Sequence, residues 1–390
     1  MQSTRTKTRT RTKIAAGVAA LALFLTGCGG SQPAADSSSA AADSTATATA
    51  PNGKTTVTVT DQRGEQITVE APVDKIASAV IPAPTIIAAV DGSWDKIVGI
   101  NDSLLKANKE GIISKIFPAS VETPVVSDRQ FTPNMETILS LEPDVFIQWG
   151  DRSADIIEPL DKAGLPVIGL EYGTQEDLET WIKIFGQILA KEDRANKLIS
   201  YMHDSQKEVS EKVAALGKPR VRGLQMSYSA EKISVSTETN YAEHVFNLAG
   251  VENMARSSLT EDGVVSPEQV LAWDPEIIFL SAFDAATPED LYKDPRLAEV
   301  SAVKNKRVYR APLGVYRWQV PCAESPLYWN WVAALAYPGE YQVDLPQLMR
   351  ENTSWIYNYE LTDADIAQVL RVDINGESAN YDAVAKGAQS

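Results

Sequence analysis

Two stretches of this 390-residue chain are written to one pattern. "FTPNMETILSLEPDVFIQW" occupies 131–149 and "VVSPEQVLAWDPEIIFLSA" occupies 264–282. At a constant offset of 132 positions Asn134 answers to Ser266, Glu136 to Glu268, Leu139 to Leu271, Pro143 to Pro275 and Asp144 to Glu276. Each copy has a helix-capping side chain, an acid in the first helical turn, and a proline-acid pair leading into an apolar run. A helix feeding a buried strand, made twice in one chain, constrains the fold to two halves of like construction.

The remaining sequence has the same grammar. "IASAVI", "IVGI", "DVFIQW" and "PVIGLEY" in the first half, and "RVRGLQM", "EIIFLSA" and "KRVYRAP" in the second, are apolar runs of strand length; helical patterns separate them, such as 153–163, closed by Gly164. Near-continuous apolar strands joined through helices predict parallel sheets covered on both faces. With 44% hydrophobic residues, the chain is long enough for two cores of ordinary size. The expected fold class is α/β, with an N-terminal lobe over 55–173 and a C-terminal lobe over 218–345. Each lobe has a mainly parallel sheet flanked by helices, and a ligand cleft lies between them.

Residues 174–217 are helical in period. Thr174 and Asp177 make a capping-box pattern, and Leu178, Trp181, Ile182, Phe185 and Ile188 recur at helical spacing. A second stripe runs through Ala195, Leu198, Ile199, Met202, Val209, Val213 and Leu216. A long helical spine therefore joins the lobes and allows them only limited opening. Residues 346–390 are expected to form a C-terminal helical extension and tail.

The amino terminus carries Arg5, Lys7, Arg9, Arg11 and Lys13, then an apolar stretch from Ile14 to Leu25. About a dozen apolar residues cannot span a hydrocarbon layer of roughly 30 Å, so 1–27 reads as a secretory leader. Leu25-Thr26-Gly27-Cys28 resembles the bacterial lipobox, which implies that Cys28 becomes the lipidated first residue of the mature protein. Residues 28–54, rich in Ser, Ala, Thr and Gly, lack the bulky apolar side chains needed to fold, and form a tether with a mean reach of roughly 28 Å. Removing the leader leaves 31 of the 36 Lys and Arg against 52 Asp and Glu, a formal charge of −21. Nucleic acid is excluded as a partner on that balance. With Cys28 lipidated, Cys322 has no disulfide partner, and stability must come from the core.

The lipobox, the tether, "VTVTDQRGEQITVEAPVDKIASAVIPAPTIIAAV", the two lobes on a helical spine, "VFNLAGVENMA" and the paired helix-start glutamates together resemble the solute-binding lipoproteins of ABC importers for iron-siderophore complexes, haem and cobalamin. The resemblance covers roughly 55–345. It implies an extracytoplasmic, membrane-anchored monomer that captures a metal chelate, uses no cofactor of its own, and delivers the chelate to a permease dimer with its ATPase. It also implies that Glu136 and Glu268 dock on arginines of that permease. The same two acids are equally explained as first-turn carboxylates stabilised by the helix dipole, worth about 0.3–1 kcal/mol each. Both roles are compatible.

In such a fold the ligand lies where loops follow the carboxyl ends of parallel strands. That points to Pro84, Trp149, Arg152 and Tyr172 in the first lobe, and to Tyr228, Phe283, Tyr316, Arg317 and Trp318 in the second. Aromatic faces with a few guanidinium groups suit a large, partly planar, anionic chelate, whose metal makes few bonds to protein. Haem, cobalamin or a small oxyanion such as molybdate are alternatives within the same fold. A hydrolase using Cys322 would need His203 or His244 as base, and these are the only two histidines. Neither is placed for a dyad, so no catalytic residue is expected. A naked zinc or manganese ion would need more His and carboxylate ligands than two scattered histidines supply, so no metal ligand set is expected.

Overall fold

The computed structural model describes residues 53–257 and 263–386. The expected leader, Cys28 and the tether up to residue 52 lie outside the described residues. The chain enters through a hairpin of β1 (Thr55–Thr60) and β2 (Gln66–Ala71). It then lays down β3 (Ile76–Ser78), β4 (Ile97–Asn101), β5 (Val125–Ser127), β6 (Val145–Trp149) and β7 (Val167–Leu170). These five form one sheet in the order β5-β4-β3-β6-β7, parallel throughout.

The second lobe contains β8 (Val221–Tyr228), β9 (Ile233–Val235), β10 (Val251–Asn253), β11 (Val264–Val265), β12 (Ile277–Leu280) and β13 (Val308–Arg310). Its order is β11-β9-β8-β12-β13, with β10 pairing in parallel to the start of β8. Only β9 runs against the rest, so its pairings with β8 and β11 are antiparallel. The run β4-β3-β6-β7 in one sheet thus corresponds to β10-β8-β12-β13 in the other. Along β12, Ile277 and Phe279 enter one core cluster and Ile278 and Leu280 a second, so the sheet is covered on both faces.

The repeated unit is structural to the residue. Helices Met135–Leu141 and Pro267–Trp273 keep the offset of 132 at both ends. Asn134 caps the first through Thr137 N, and Ser266 caps the second through Gln269 N. Both helices end in an acid in the left-handed conformation, Glu142 at φ 48° and Asp274 at φ 43°. Ile138 and Val270 anchor them and are fully buried. The strand-entry acids also match: Asp144 Oδ2 accepts the backbone N–H groups of Asp74 and Lys75, and Glu276 Oε2 accepts that of Arg222. Each carboxylate thereby satisfies the backbone beside the start of its lobe's central strand.

Two helices, Gln175–Ile188 and Glu192–Ala215, carry the chain between the sheets. The Thr174–Asp177 capping box is present, and all five residues of the first stripe are buried. Ala190, at φ 52°, turns the chain between the two helices. The segment 153–163 is not one helix but a short 3-10 turn, Ala154–Ile156, followed by Glu158–Lys162. Pro159 explains the break, because its ring would strike the carbonyl of Asp155 in a continuous helix and it donates no N–H.

After the long buried helix Ser325–Ala336, the chain ends in helices Leu345–Tyr357, Asp363–Val369, Val372–Asn375 and Tyr381–Val384. This extension touches both lobes. Asp365 pairs with Lys115 at 2.6 Å, and Asn375 grips the end of β13, accepting from Arg310 N at 2.7 Å and donating to Arg310 O at 3.0 Å. Tyr381 is fully buried, stacked on Tyr309 with ring centroids 5.9 Å apart. Among the described residues no helix is long and apolar enough to cross a membrane.

Candidate functional site

Loops that leave the carboxyl ends of β7 and β12 line a pocket of about 410 Å³ between the lobes. Tyr172 and Gly173 come from the first lobe, and Ser281 and Phe283 from the second. The Tyr172 hydroxyl donates to Pro321 O at 2.5 Å, so the two lobes touch at this edge. The inner wall comes from the ends of β8 and β9 and carries hydroxyl and amide groups, among them Ser227, Ser234, Ser236, Asn240 and Gln319. Among the described residues none of those lining the pocket carries a charge at neutral pH.

Outside that lining, each lobe holds one guanidinium on aromatic faces. In the first lobe Arg152 Cζ lies 4.4 Å from the Phe131 ring centroid and 5.1 Å from that of Trp149. Trp149 packs edge-on against Phe131 and leans toward Tyr172 and Trp181 at 6.2 Å, which buries it. In the second lobe Arg317 Cζ lies 4.5 Å from the Phe283 ring centroid and 5.6 Å from that of Tyr316, and its Nε donates to Ala282 O. Phe283 is 54% exposed, an apolar face at the pocket edge.

The other expected residues are placed differently. Tyr316 is buried and Trp318 fully so, while Arg317 between them remains half-exposed. A bridge between Leu313 and Arg317 closes a tight loop in which Val315, Tyr316 and Trp318 are all buried. Beneath it lies Glu324, whose Oε2 accepts Tyr316 N at 3.1 Å; burial pushes its carboxyl up to about 7. Gly314 is required there, since a Cβ would fall 2.2 Å from Glu324 Oε1. Tyr228 donates to Asp294 Oδ2 at 2.8 Å, and hydrogen bonds from Arg296 hold that carboxyl down at about 2. Pro84 is buried in the first turn of helix Ala83–Asp91. Of the nine expected ligand residues, only Tyr172 and Phe283 line the pocket.

Cys322 is buried, with Ser325 Oγ as its Sγ partner at 4.0 Å, and burial pushes its thiol well up from the ordinary range. A buried thiol held protonated is a poor nucleophile. His203 pairs with Glu179 at 2.9 Å, and His244 stacks on Tyr241. Among the described residues no group of three or more His, Cys, Asp or Glu could hold a metal ion.

Three side chains packed near these groups carry no mark in the sequence. Phe131, at φ 69°, precedes the capped helix and reaches Arg152 only through tertiary folding. Arg310, at the end of β13, donates to Asp284 O. Arg371, from the extension, lines a second hollow with Glu110 of the first lobe; burial and the nearby Arg310 and Arg317 charges bring its guanidinium down to about 10. No local pattern marks these residues, because each owes its position to a distant segment.

On the outside of the molecule, Glu136 and Glu268 are exposed in the first turns of the matched helices. Hydrogen bonding to Ser266 holds the Glu268 carboxyl below its ordinary value.

A family profile described as periplasmic binding protein matches residues 80–313. The Fe(3+)-citrate-binding protein YfmC of Bacillus subtilis is 29% identical over 264 residues, 66% of this chain and 76% of that protein. The molybdate-binding protein MolA of Haemophilus influenzae is 22% identical over 318 residues, 75% of this chain and 88% of its own length. Among solved structures, a periplasmic solute binding protein from Veillonella parvula superposes with a TM-score of 0.75 at 32% identity, covering 83% of this chain and 99% of that one.

Proposed function

We propose that this chain, which belongs to the periplasmic binding protein family, captures an organic metal chelate with anionic oxygens, of the ferric siderophore or ferric carboxylate type, and hands it to an ABC importer. The observation that carries the reading is the pair of guanidinium-on-aromatic stations, Arg152 on Phe131 and Trp149, and Arg317 on Phe283 and Tyr316, one from each lobe. With Trp149 and Tyr316 buried behind them, the faces left for a ligand are Phe131 with the Arg152 cation and the exposed Phe283 with the Arg317 cation. The similarity to a ferric citrate-binding protein agrees with that chemistry. In this reading Glu136 and Glu268 contact the permease, Cys28 carries the lipid anchor, and the chain works as an extracytoplasmic monomer.

A second reading has its own support. The uncharged, hydroxyl-lined pocket suits a small oxyanion held by O–H and N–H donors, and one relative is a molybdate-binding protein. Titration of the full chain with ferric citrate, ferric siderophores, haem, cobalamin, molybdate and zinc decides between them. Tight binding of a ferric chelate, weakened by Arg317→Ala, supports the first reading. Binding of molybdate alone, weakened by Ser281→Ala and indifferent to Arg317→Ala, replaces it with the second. Cys28→Ala should release the protein from the membrane fraction; retention with unchanged mass removes the anchor.

A further inference from the structure

The matched helices differ at five of seven positions, "METILSL" against "PEQVLAW", and agree at two: the exposed acid and the leucine three residues on. Leu139 is 50% exposed and Leu271 39%; with Phe283 they are the exposed large hydrophobic side chains among the described residues. The fold does not require either leucine to stay apolar, because the buried anchors are the neighbouring Ile138 and Val270. Spacing of three residues places each leucine on the same helix face as its acid. Ser140 and Ala272, the next residues, are small and exposed, so another surface can approach closely.

One exposed leucine is ordinary. Two at the same register in separate lobes, each beside an acid, form a patterned surface. We infer that Leu139 and Leu271 are the apolar half of a two-station docking face, each filling an apolar socket beside a basic group on a membrane permease of two-fold symmetry. The inference rests on the importer reading above and adds the leucine contacts to it. Stations of one chemistry, offered twice by a single chain, fit a partner that presents one socket twice; an asymmetric partner would leave a leucine uncovered. The acids steer approach and are screened by salt, whereas the leucines hold the docked complex and are not.

The test places a photo-reactive diazirine side chain at 139 or 271 of the full chain in cells. Both positions should label the same peptide of the same permease subunit. Leu139→Gln and Leu271→Gln should each weaken binding to the permease about tenfold, equally at low and high salt, with cargo affinity unchanged. Labels on two different peptides, or on a second copy of this chain, overturn the inference. So does a permease labelled from probes at 136 and 268 but never from 139 or 271, an outcome that leaves the importer reading standing. Absence of any labelled transporter from all four positions removes the importer reading itself.

Discussion

The outer and inner faces of the two lobes have diverged to different degrees. On the outside, the offset of 132 preserves cap, acid, buried anchor, exposed leucine and left-handed helix end. Across the strand the correspondence fails: Trp149 answers to Ser281 and Arg152 to Asp284. The second lobe obtains its cation instead from Arg317, beyond a different strand. The proposed function asks for that contrast: like surfaces outside for like sites on a partner, and unlike surfaces inside around a single ligand. The two ends of the same strand have diverged to different degrees.

Removing the helix anchors tests that likeness hardest. Ile138→Ala should destabilise the protein by about 2–5 kcal/mol, and Val270→Ala by roughly two-thirds as much, since two carbons are removed rather than three. Urea midpoints measure both; a silent substitution at either position would mean that its helix is held by something else. The buried acid under the second lobe's cleft loop gives the next effect. The native Glu324 carboxyl lies at about 7, above its ordinary 4.5, so the folded state retains a proton that the unfolded chain gives up. Its contribution is therefore most favourable below pH 4.5 and is lost as pH rises to 7, by an amount of order 3 kcal/mol. Glu324→Gln should abolish that part of the pH dependence between pH 5 and 8, and an unchanged slope would assign it to other groups.

Smaller effects sharpen the comparison. Asn134→Ala and Ser266→Ala should each cost about 1 kcal/mol, equally within error, because both side chains cap one N–H three residues on. Unequal losses would show that the helices are alike in outline only. Arg152→Lys and Arg317→Lys should lower chelate affinity by about 0.5–1 kcal/mol each, as the planar cation leaves its ring. Calorimetry on both variants tests whether the inner stations work as a pair.

What was legible in the sequence was whatever repeats at short range. The helix starts and spine stripes follow the 3.6-residue period, the central strands are unbroken apolar runs, and all of them fold where those patterns place them. The helix expected over 153–163 from its closing Gly164 breaks at Pro159, whose ring a continuous helix cannot hold. The sequence places Trp318 beside the ligand with Arg317, but the bridged loop at Leu313 and Arg317 turns Trp318 into the core, and no local period signals such a turn. Strands as short as Val264–Val265 carry no period at all. Phe131 and Arg371 could not be read because their roles depend on which distant residues they meet.

The extension has a consequence for where the protein can be cut. Tyr381 is part of the same core as Tyr309 and Trp331, and Val384 and Ala385 belong to that cluster. Tyr309 and Trp331 therefore take part of their cover from the extension, and a cut ahead of Tyr381 would leave both rings open on one side. Such a cut removes no strand, yet it lets solvent into the core, so the integrity of the second lobe depends on a segment that lies outside its sheet.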